Sequence, residues 1–457
     1  MKKKSLLLTL VILTFSVLTA QQNVNDQKVL TLQKAMEIAL DKNYTVKQAQ
    51  NNMESAQTGV TAAYGNFLPT VSLGSSWSGG EQYVNGVPLG SSNVRSFSPG
   101  LSARMTLFDG FNNTATLSRA VSTSASSEFI LTRTRQSLVY RIQSDYYEVL
   151  RTEKLVKVAD ETVKYDVKQL DRVKETARLG SSSIVNVYQQ QAQLGLDEAL
   201  LVQARNNYDI AKANLLADIS VEVSEDYIIA DPSIPEEIDK TELDRIAELS
   251  KDFPSLTRGA LDKRYDYLSA REQYNATEAD VTSARSGYLP QISASLGYGW
   301  NGRTVLESPT TPYASEFSNF SDNRSYNWSL SFSLPLFSGF QTNNIVQSRL
   351  VAKKNAEEGL RDTERRIQVD VKNSLLLMQA SLKSYEAAVN SLQLQNQNLK
   401  INQEKYNVGS GTILDLLLAQ NNYNTALSNK INSVYQYFKA KSALELSLGR
   451  IKDTVIQ

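Results

Sequence analysis

The side chains that most often do chemistry near neutral pH are missing from this chain. Its 457 residues include no His and no Cys. That removes the commonest metal ligand, the commonest acid and base near pH 7, a thiol nucleophile and any disulfide. Asp and Glu number 48 against 48 Lys and Arg. No carboxylates cluster into a catalytic constellation, and they read as solvated faces of helices. The sequence therefore predicts no catalytic residue, no metal site and no cofactor, and its balanced charge predicts no nucleic-acid partner.

What polar chemistry remains is concentrated at two turns, "LGSSS" (Leu179 to Ser183) and "VGSGT" (Val408 to Thr412). Gly180 and Gly409 suit a left-handed helix C-cap, and Ser183 and Thr412 suit the N-cap of a returning helix. Thr412 and Asp415 have capping-box spacing, and an Asp in a first helical turn favours the helix dipole. Asn186 occupies the place equivalent to Asp415 in the first turn. Were such a tip repeated around an axis, its Asp415 carboxylates would crowd together, repel one another and attract cations. The two roles are compatible.

Long elements must hold those turns. Asn112 to Leu179 contains no Gly or Pro, and Gln341 to Val408 contains only Gly359. As single helices each would reach about 100 Å. Ile142, Val149, Val156, Val163, Leu170 and Ala177 recur at heptad spacing, as do Val371, Met378, Tyr385, Leu392, Leu399 and Tyr406. A sustained heptad imposes left-handed supercoiling. Beyond each turn the pattern returns through Val187, Leu194, Leu201, Tyr208 and Leu215, and through Leu416, Tyr423, Lys430, Tyr437 and Leu444, where Lys430 breaks the seam. Two antiparallel helical hairpins are expected. Shorter helices are predicted over Thr31 to Tyr64 and Pro254 to Ser286, with Pro254 at a first helical position.

Period-two runs precede each long helix. Leu101, Ala103, Met105 and Leu107 alternate with small polar residues, as do Ile292 to Trp300, Tyr326 to Leu336 and, more weakly, Val71, Leu73 and Trp77. Runs of about 9–11 such residues fit transmembrane barrel strands. They fit equally a sheet packed on a soluble core with its apolar face hidden. Gly79 to Ser96 and Asn301 to Ser325, rich in Ser, Asn and Gly, read as outer loops. Four strands cannot close a membrane barrel, because closed barrels begin at about eight strands and lipid tolerates no open edge. Several chains must then share one wall, and three chains would supply twelve strands.

The chain is a tandem repeat. "LFDGF" (Leu107 to Phe111) returns as "LFSGF" (Leu336 to Phe340), and Phe108 to Gly180 has the same length as Phe337 to Gly409. Gly110 and Gly339 permit the change of direction from strand to helix, and Pro69 and Pro290 mark the reverse passage. At the start, Lys2 to Lys4, the apolar Leu6 to Leu18 and Leu18-Thr19-Ala20 compose a cleavable secretory signal.

Together, the duplicated "LP" strand starts, the duplicated "LF-x-GF" corners and the tips "RLGSSSIVNV" and "NVGSGTILDLLLAQ" resemble the outer-membrane efflux (TolC) family over almost the whole mature sequence. The resemblance implies a mainly α protein that gives four strands to a shared 12-stranded β-barrel. It also implies a homotrimer embedded in outer-membrane lipid, with long coiled-coil hairpins forming a periplasmic α-barrel. The function implied is a passive export duct docking on a periplasmic adaptor and an inner-membrane pump, with drugs, ions, small molecules or polypeptides as cargo. The adaptor-docking tips would be Leu179, Gly180, Ser181 and Ser183 with Val408, Gly409, Gly411 and Thr412. Asp415 falls on the first of two Asp rings at the family's tunnel mouth, while Leu418 stands where the second would be and Asn186 faces from the other repeat. The implied organisation is a signal (1–20), periplasmic helices (21–66, 254–286), strands with outer loops (67–109, 288–338), hairpins (110–216, 339–448) and an equatorial region (217–253 with 449–457). A secreted or periplasmic coiled-coil scaffold or adhesin is the alternative, and it leaves the strands without a purpose.

Overall fold

The computed structural model describes residues 28–451, apart from 81–82, 89–93, 225–226, 240, 243–245, 247, 249–251 and 306–322. The expected signal, most of the second outer loop and residues 452–457 lie outside the described residues. The first half runs β1 (Lys28–Leu30), α1 (Leu32–Lys42), α2 (Tyr44–Gly65), β2 (Thr70–Gly80), β3 (Tyr83–Val84), β4 (Val87–Pro88), β5 (Val94–Phe108), α3 (Asn112–Arg178), α4 (Ile184–Asp218) and β6 (Tyr227–Ile229). The second half runs α5 (Phe253–Leu261), α6 (Tyr265–Arg285), β7 (Gln291–Trp300), β8 (Gly302–Val305), β9 (Arg324–Ser333), α7 (Gln341–Asn407) and α8 (Ile413–Ser447).

Helices α3 and α7 each hold 67 residues without interruption. The helical stretch expected over 31–64 comprises two helices. Asn43 divides them, because its Oδ1 accepts from the Thr45 backbone N–H at 2.9 Å while its Nδ2 donates to the Asp218 carbonyl at 2.8 Å. The stretch from Pro254 likewise splits into α5 and α6. It begins one residue earlier than expected, with Asp252 Oδ1 accepting from the Ser255 N–H at 3.2 Å. Pro254 is therefore the second helical residue, a place whose N–H has no intrahelical partner anyway.

The seam is deepest around the middle of each long helix, level with the base of its hairpin. Ile142, Val149, Val371 and Met378 are fully buried, whereas Val156, Val163, Leu392 and Leu399 are only half-covered. Ile142 and Val149 join Ala35 and Ala39 of α1 and Leu215 of α4 in one core. There the Tyr146 hydroxyl donates to the Leu30 carbonyl at 2.9 Å, fastening β1, which pairs in parallel with β6, onto α3. A second core joins Val371 and Met378 of α7 to Tyr437 and Leu444 of α8.

The strands form one antiparallel sheet in the order β2-β5-β7-β9, with β8 also beside β5. Its register places Val71, Ala103, Leu296 and Trp328 in one cross-strand row and Leu73, Leu101, Tyr298 and Tyr326 in the next. The opposite face carries facing hydroxyls, Ser72 with Ser102 at 2.8 Å, Ser295 with Ser329 at 2.7 Å and Ser293 with Ser331 at 3.1 Å. The apolar face is not hidden on a core. Tyr326 is 84 % exposed and Trp328 76 %, and no described part of the chain lies over them. β2 and β9 each leave an edge without a partner among the described residues.

Three details of the strands differ from expectation, the first being that the loop expected over 301–325 opens with β8 and yields to β9 at Arg324. The alternation read through Leu334 and Leu336 ends as strand at Ser333, because Pro335 lacks the N–H that a ladder needs. The first expected loop is also shorter than 79–96. β2 continues to Gly80, and a small hairpin turns at Asn85 and Gly86, both left-handed (φ 54° and 80°) as an Asn-Gly turn requires.

At each corner two consecutive residues are left-handed, Gly110 with Phe111 (φ 68° and 72°) and Gly339 with Phe340 (φ 61° and 65°). The Phe members carry strain that Gly does not. Each is held by an edge-to-face contact with the other Phe of its motif, Phe108 with Phe111 at 5.3 Å and Phe337 with Phe340 at 5.7 Å. The variable residue has a reason as well. Asp109 Oδ2 accepts from the Asn113 N–H at 2.8 Å, and Ser338 Oγ sits 3.4 Å from the Thr342 N, so both start the helix. The two glycines are not equivalent. A Cβ on Gly110 would lie 2.7 Å from Leu289 Cβ and 2.8 Å from the Ser286 carbonyl oxygen, whereas one on Gly339 would meet nothing within 4 Å. Gly110→Ala is expected to cost about 2–4 kcal/mol, strain plus overpacking, and Gly339→Ala about 1–2 kcal/mol from φ alone. Thermal unfolding of the two variants in detergent checks the order. Equal melting temperatures would contradict it.

Candidate functional site: the hairpin tips

Both tips are built by one hydrogen-bonding scheme. Helix α3 ends in a Schellman turn, with Gly180 (φ 75°) donating to the Ala177 carbonyl at 3.0 Å and Ser181 to the Thr176 carbonyl at 3.0 Å. Helix α7 ends the same way, with Gly409 (φ 76°) donating to Tyr406 at 3.1 Å and Ser410 to Lys405 at 2.9 Å. Gly411 fits closely on the preceding turn, where a Cβ would stand 3.0 Å from that of Lys405. Leu179 and Val408, the last residue of each turn before the glycine, are exposed, as are Gly180, Ser181 and Gly409.

The returning helices are capped unequally. Ser183 Oγ accepts from the Val185 N–H at 3.2 Å, and Asn186 is spent locally, its Nδ2 donating to Ser182 Oγ at 3.0 Å. Thr412 and Asp415 make the full box. The Asp415 N–H donates to Thr412 Oγ1 at 3.2 Å, while Asp415 Oδ2 accepts from the Thr412 N–H at 3.2 Å and its hydroxyl at 2.6 Å. These bonds, with Lys405 nearby, hold the exposed Asp415 carboxyl below its ordinary value. Leu418, one turn further, is 59 % exposed. Asp415 and Leu418 thus stand on an open face of α8, beside the buried Ile413, Leu416 and Leu417.

The fold brings the two tips side by side. Ile413 and Leu417 pack with Leu170, Val173 and Val187 of the first hairpin, and Arg172 Nη1 donates to Asn407 Oδ1 at 3.1 Å. Farther from the tips Arg151 reaches Asn432 at 2.9 Å, and Lys439 pairs with Glu148 at 2.6 Å. Glu148 is pulled down to about 2 by Arg151 first and Lys439 next.

Not every acid lies on a solvated face. Asp166, Gln190 and Asp197 are buried between α3 and α4, and Asp145 faces Asp218 nearer the base. The signal was present in the heptads. Each of these residues stands three positions after a seam residue: Asp145 after Ile142, Asp166 after Val163, Gln190 after Val187, Asp197 after Leu194 and Asp218 after Leu215. Three past the first core position is the second core position of a coiled coil.

Known proteins place this architecture. The sequence profile described as "Outer membrane efflux protein" matches residues 35–218 and 256–450. The chain belongs to the outer membrane efflux protein family. Its relatives include the outer membrane protein TolC of Salmonella enteritidis, 23% identical over 413 residues covering 90% of this chain and 80% of that protein. Protein CyaE of Bordetella pertussis is 22% identical and covers 93% and 85%. Among solved structures, the outer membrane protein VceC of Vibrio cholerae superposes with a TM-score of 0.76 at 19% identity, covering 92% of this chain and 96% of that one. The open state of the MtrE outer membrane channel of Neisseria gonorrhoeae gives 0.74 at 18% identity, covering 93% and 91%. Membership in this family places the chain in the outer membrane, spanning into the periplasm. Like its family, the chain is an outer-membrane efflux channel component, a conduit class rather than a catalytic one.

Proposed function

We propose that three copies of this chain close one 12-stranded barrel in the outer membrane, continued into the periplasm by a tunnel of α-helical hairpins. The observation that carries this is the open sheet, whose apolar face is exposed and whose edges β2 and β9 have no described partner. In hydrocarbon an unpaired edge costs several kcal/mol per exposed backbone group, and edge-to-edge joining of identical sheets removes all of them at once. The residues 67–109 and 288–338 then form the wall and outer loops, 110–216 and 339–448 the tunnel, and 217–253 with 449–457 a band around it. The duct is passive. Its exposed tips, Leu179, Gly180, Ser181 and Ser183 with Val408, Gly409, Gly411 and Thr412, dock a periplasmic adaptor that links it to an inner-membrane pump. Asp415, Leu418 and Asn186 gather at the periplasmic mouth.

The test is the mass of the detergent-purified particle together with its migration before and after heating. The expected result is a heat-dissociable assembly of three times the chain mass that only detergent extracts. A particle of one chain's mass that still resists extraction by high salt and alkali would overturn the shared barrel. The coiled-coil scaffold alternative gains nothing from an apolar sheet face left open, and it predicts extraction without detergent.

A further inference from the structure

A buried acid pair in the first hairpin has no part in the duct as described. Asp166 is 1 % exposed and Gln190 0 %. Gln190 Nε2 donates to Asp166 Oδ1 at 3.2 Å, and Gln193 Nε2 donates to Asp197 Oδ2 at 2.7 Å. Asp197 is buried too, and its carboxyl faces that of Asp166. Around them Asp166 Oδ2, Gln190 Oε1, Gln169 Nε2 and the Tyr165 hydroxyl have no protein partner.

No cation among the described residues answers these charges. Lys164 and Arg205 are both taken by Asp160, at 2.8 and 3.2 Å. Arg172 is directed to Asn407, and the neighbouring helices present Tyr406 on α7 and Asn421 on α8, the latter accepting from Gln193 at 3.4 Å. As carboxylates, Asp166 and Asp197 are both acceptors, so nothing joins them and their charges repel in a poorly hydrated space. One proton between them turns that repulsion into a charge-assisted hydrogen bond.

The duplication supplies an internal comparison. At the matching positions the second hairpin carries Gln395, Ala419 and Ala426, and its Ala419 and Ala426 are buried. The same helix pairing is thus built without acids, and the pair is not demanded by packing. By contrast, the Asp145–Asp218 pair nearer the base has Arg141 and Lys439 beside it.

We propose that Asp166 and Asp197 form a one-proton binding site that tightens the first hairpin when occupied and loosens it when empty. On the functional reading above, from which only this consequence is taken, periplasmic pH then sets how firmly one of the two docking tips is held. Burial first, and then the facing Asp197, pushes the Asp166 carboxyl up to about 7. The folded hairpin therefore holds a proton that the unfolded chain releases near the ordinary Asp value of 3.8. Stability is full below that value, falls as pH rises and levels off above about 7.

Hydrogen exchange of peptides from 160–200 in the full chain in detergent tests this, after correction for intrinsic exchange rates. For a one-proton linkage, the opening constant is expected to rise about tenfold per pH unit between about pH 5 and 7, then flatten. Asp166→Asn should abolish the slope, and so should Asp197→Ala, which installs the residue of the second hairpin. Asp145→Asn should leave the slope of these peptides unchanged. A flat profile in the unaltered protein, or an unchanged slope in both Asp166→Asn and Asp197→Ala, overturns the proposal. So does protection that follows added calcium or its chelation at fixed pH, which would make the pair a cation site. The particle mass above decides the trimer separately.

Discussion

Replacing Gly409 by Leu is expected to abolish export while trimers still reach the outer membrane. Gly409 is left-handed at φ 76°, and a Cβ there would meet nothing within 4 Å. The direct cost is therefore conformational, about 1–2 kcal/mol for an L-residue in that region. That is small beside two 67-residue helices and their returning partners, so the hairpin survives. What changes is the outline of the tip, since the new side chain projects into the open space that the proposed docking would use. Gly180 has the same open surroundings at φ 75°, so Gly180→Leu is a parallel probe of the other tip. The measurements are export of a dye or toxic compound, trimer content of outer-membrane fractions and capture of the adaptor by cross-linking. Full export with a normal adaptor complex sinks docking through Gly409. Lost trimers would point instead to a folding defect at the turn.

The second large effect is expected at Asp415. Reconstituted channels should favour cations and be blocked by multivalent cations, and Asp415→Ala should lower both severalfold, because in the proposed trimer three carboxylates around one axis disappear together. The capping box makes the experiment need a partner variant. Asp415 gives up Oδ2 to the N–H and hydroxyl of Thr412, so Asp415→Ala also loses a cap, at about 1 kcal/mol. Asp415→Asn removes the charge while keeping an acceptor for Thr412. If Asp415→Asn conducts as a nonselective channel with near-normal melting, charge at the mouth is the cause. If both variants conduct as before and only Asp415→Ala melts lower, Asp415 is a helix cap and nothing more. With the exposed Leu418 in the next turn, the proposed ring would stand alone, and block should be weaker than for a mouth with acids at both levels.

The sequence by itself determined the local elements, because each was written in a short-range code. The heptads through Ile142 and Val371 imply supercoiled helices, and Gly180 and Gly409 imply left-handed stops. Alternation in β5, β7 and β9 implies strands with one apolar face, and duplication doubles all of it. Even the capping box at Thr412 and Asp415 follows from spacing alone, since its partners are within one helical turn.

Only the tertiary structure decided what each face meets. Alternation is the same for a soluble core and for lipid. The register that aligns Trp328 with Leu296, Ala103 and Val71, and leaves that row uncovered, distinguishes them. Pro335 ended a strand whose apolar pattern ran on past it, because a ladder needs N–H groups and a pattern count does not register their absence. Asn43 broke a helix by bonding a carbonyl 175 residues away in sequence. Asp166 stands at a core position of its heptad, but that it faces another acid there is settled only when α4 brings Gln190 and Asp197 against it. Local periodicity names the position of a side chain around its own helix. Whether that position is wet, greasy or facing another charge depends on what the rest of the chain brings there.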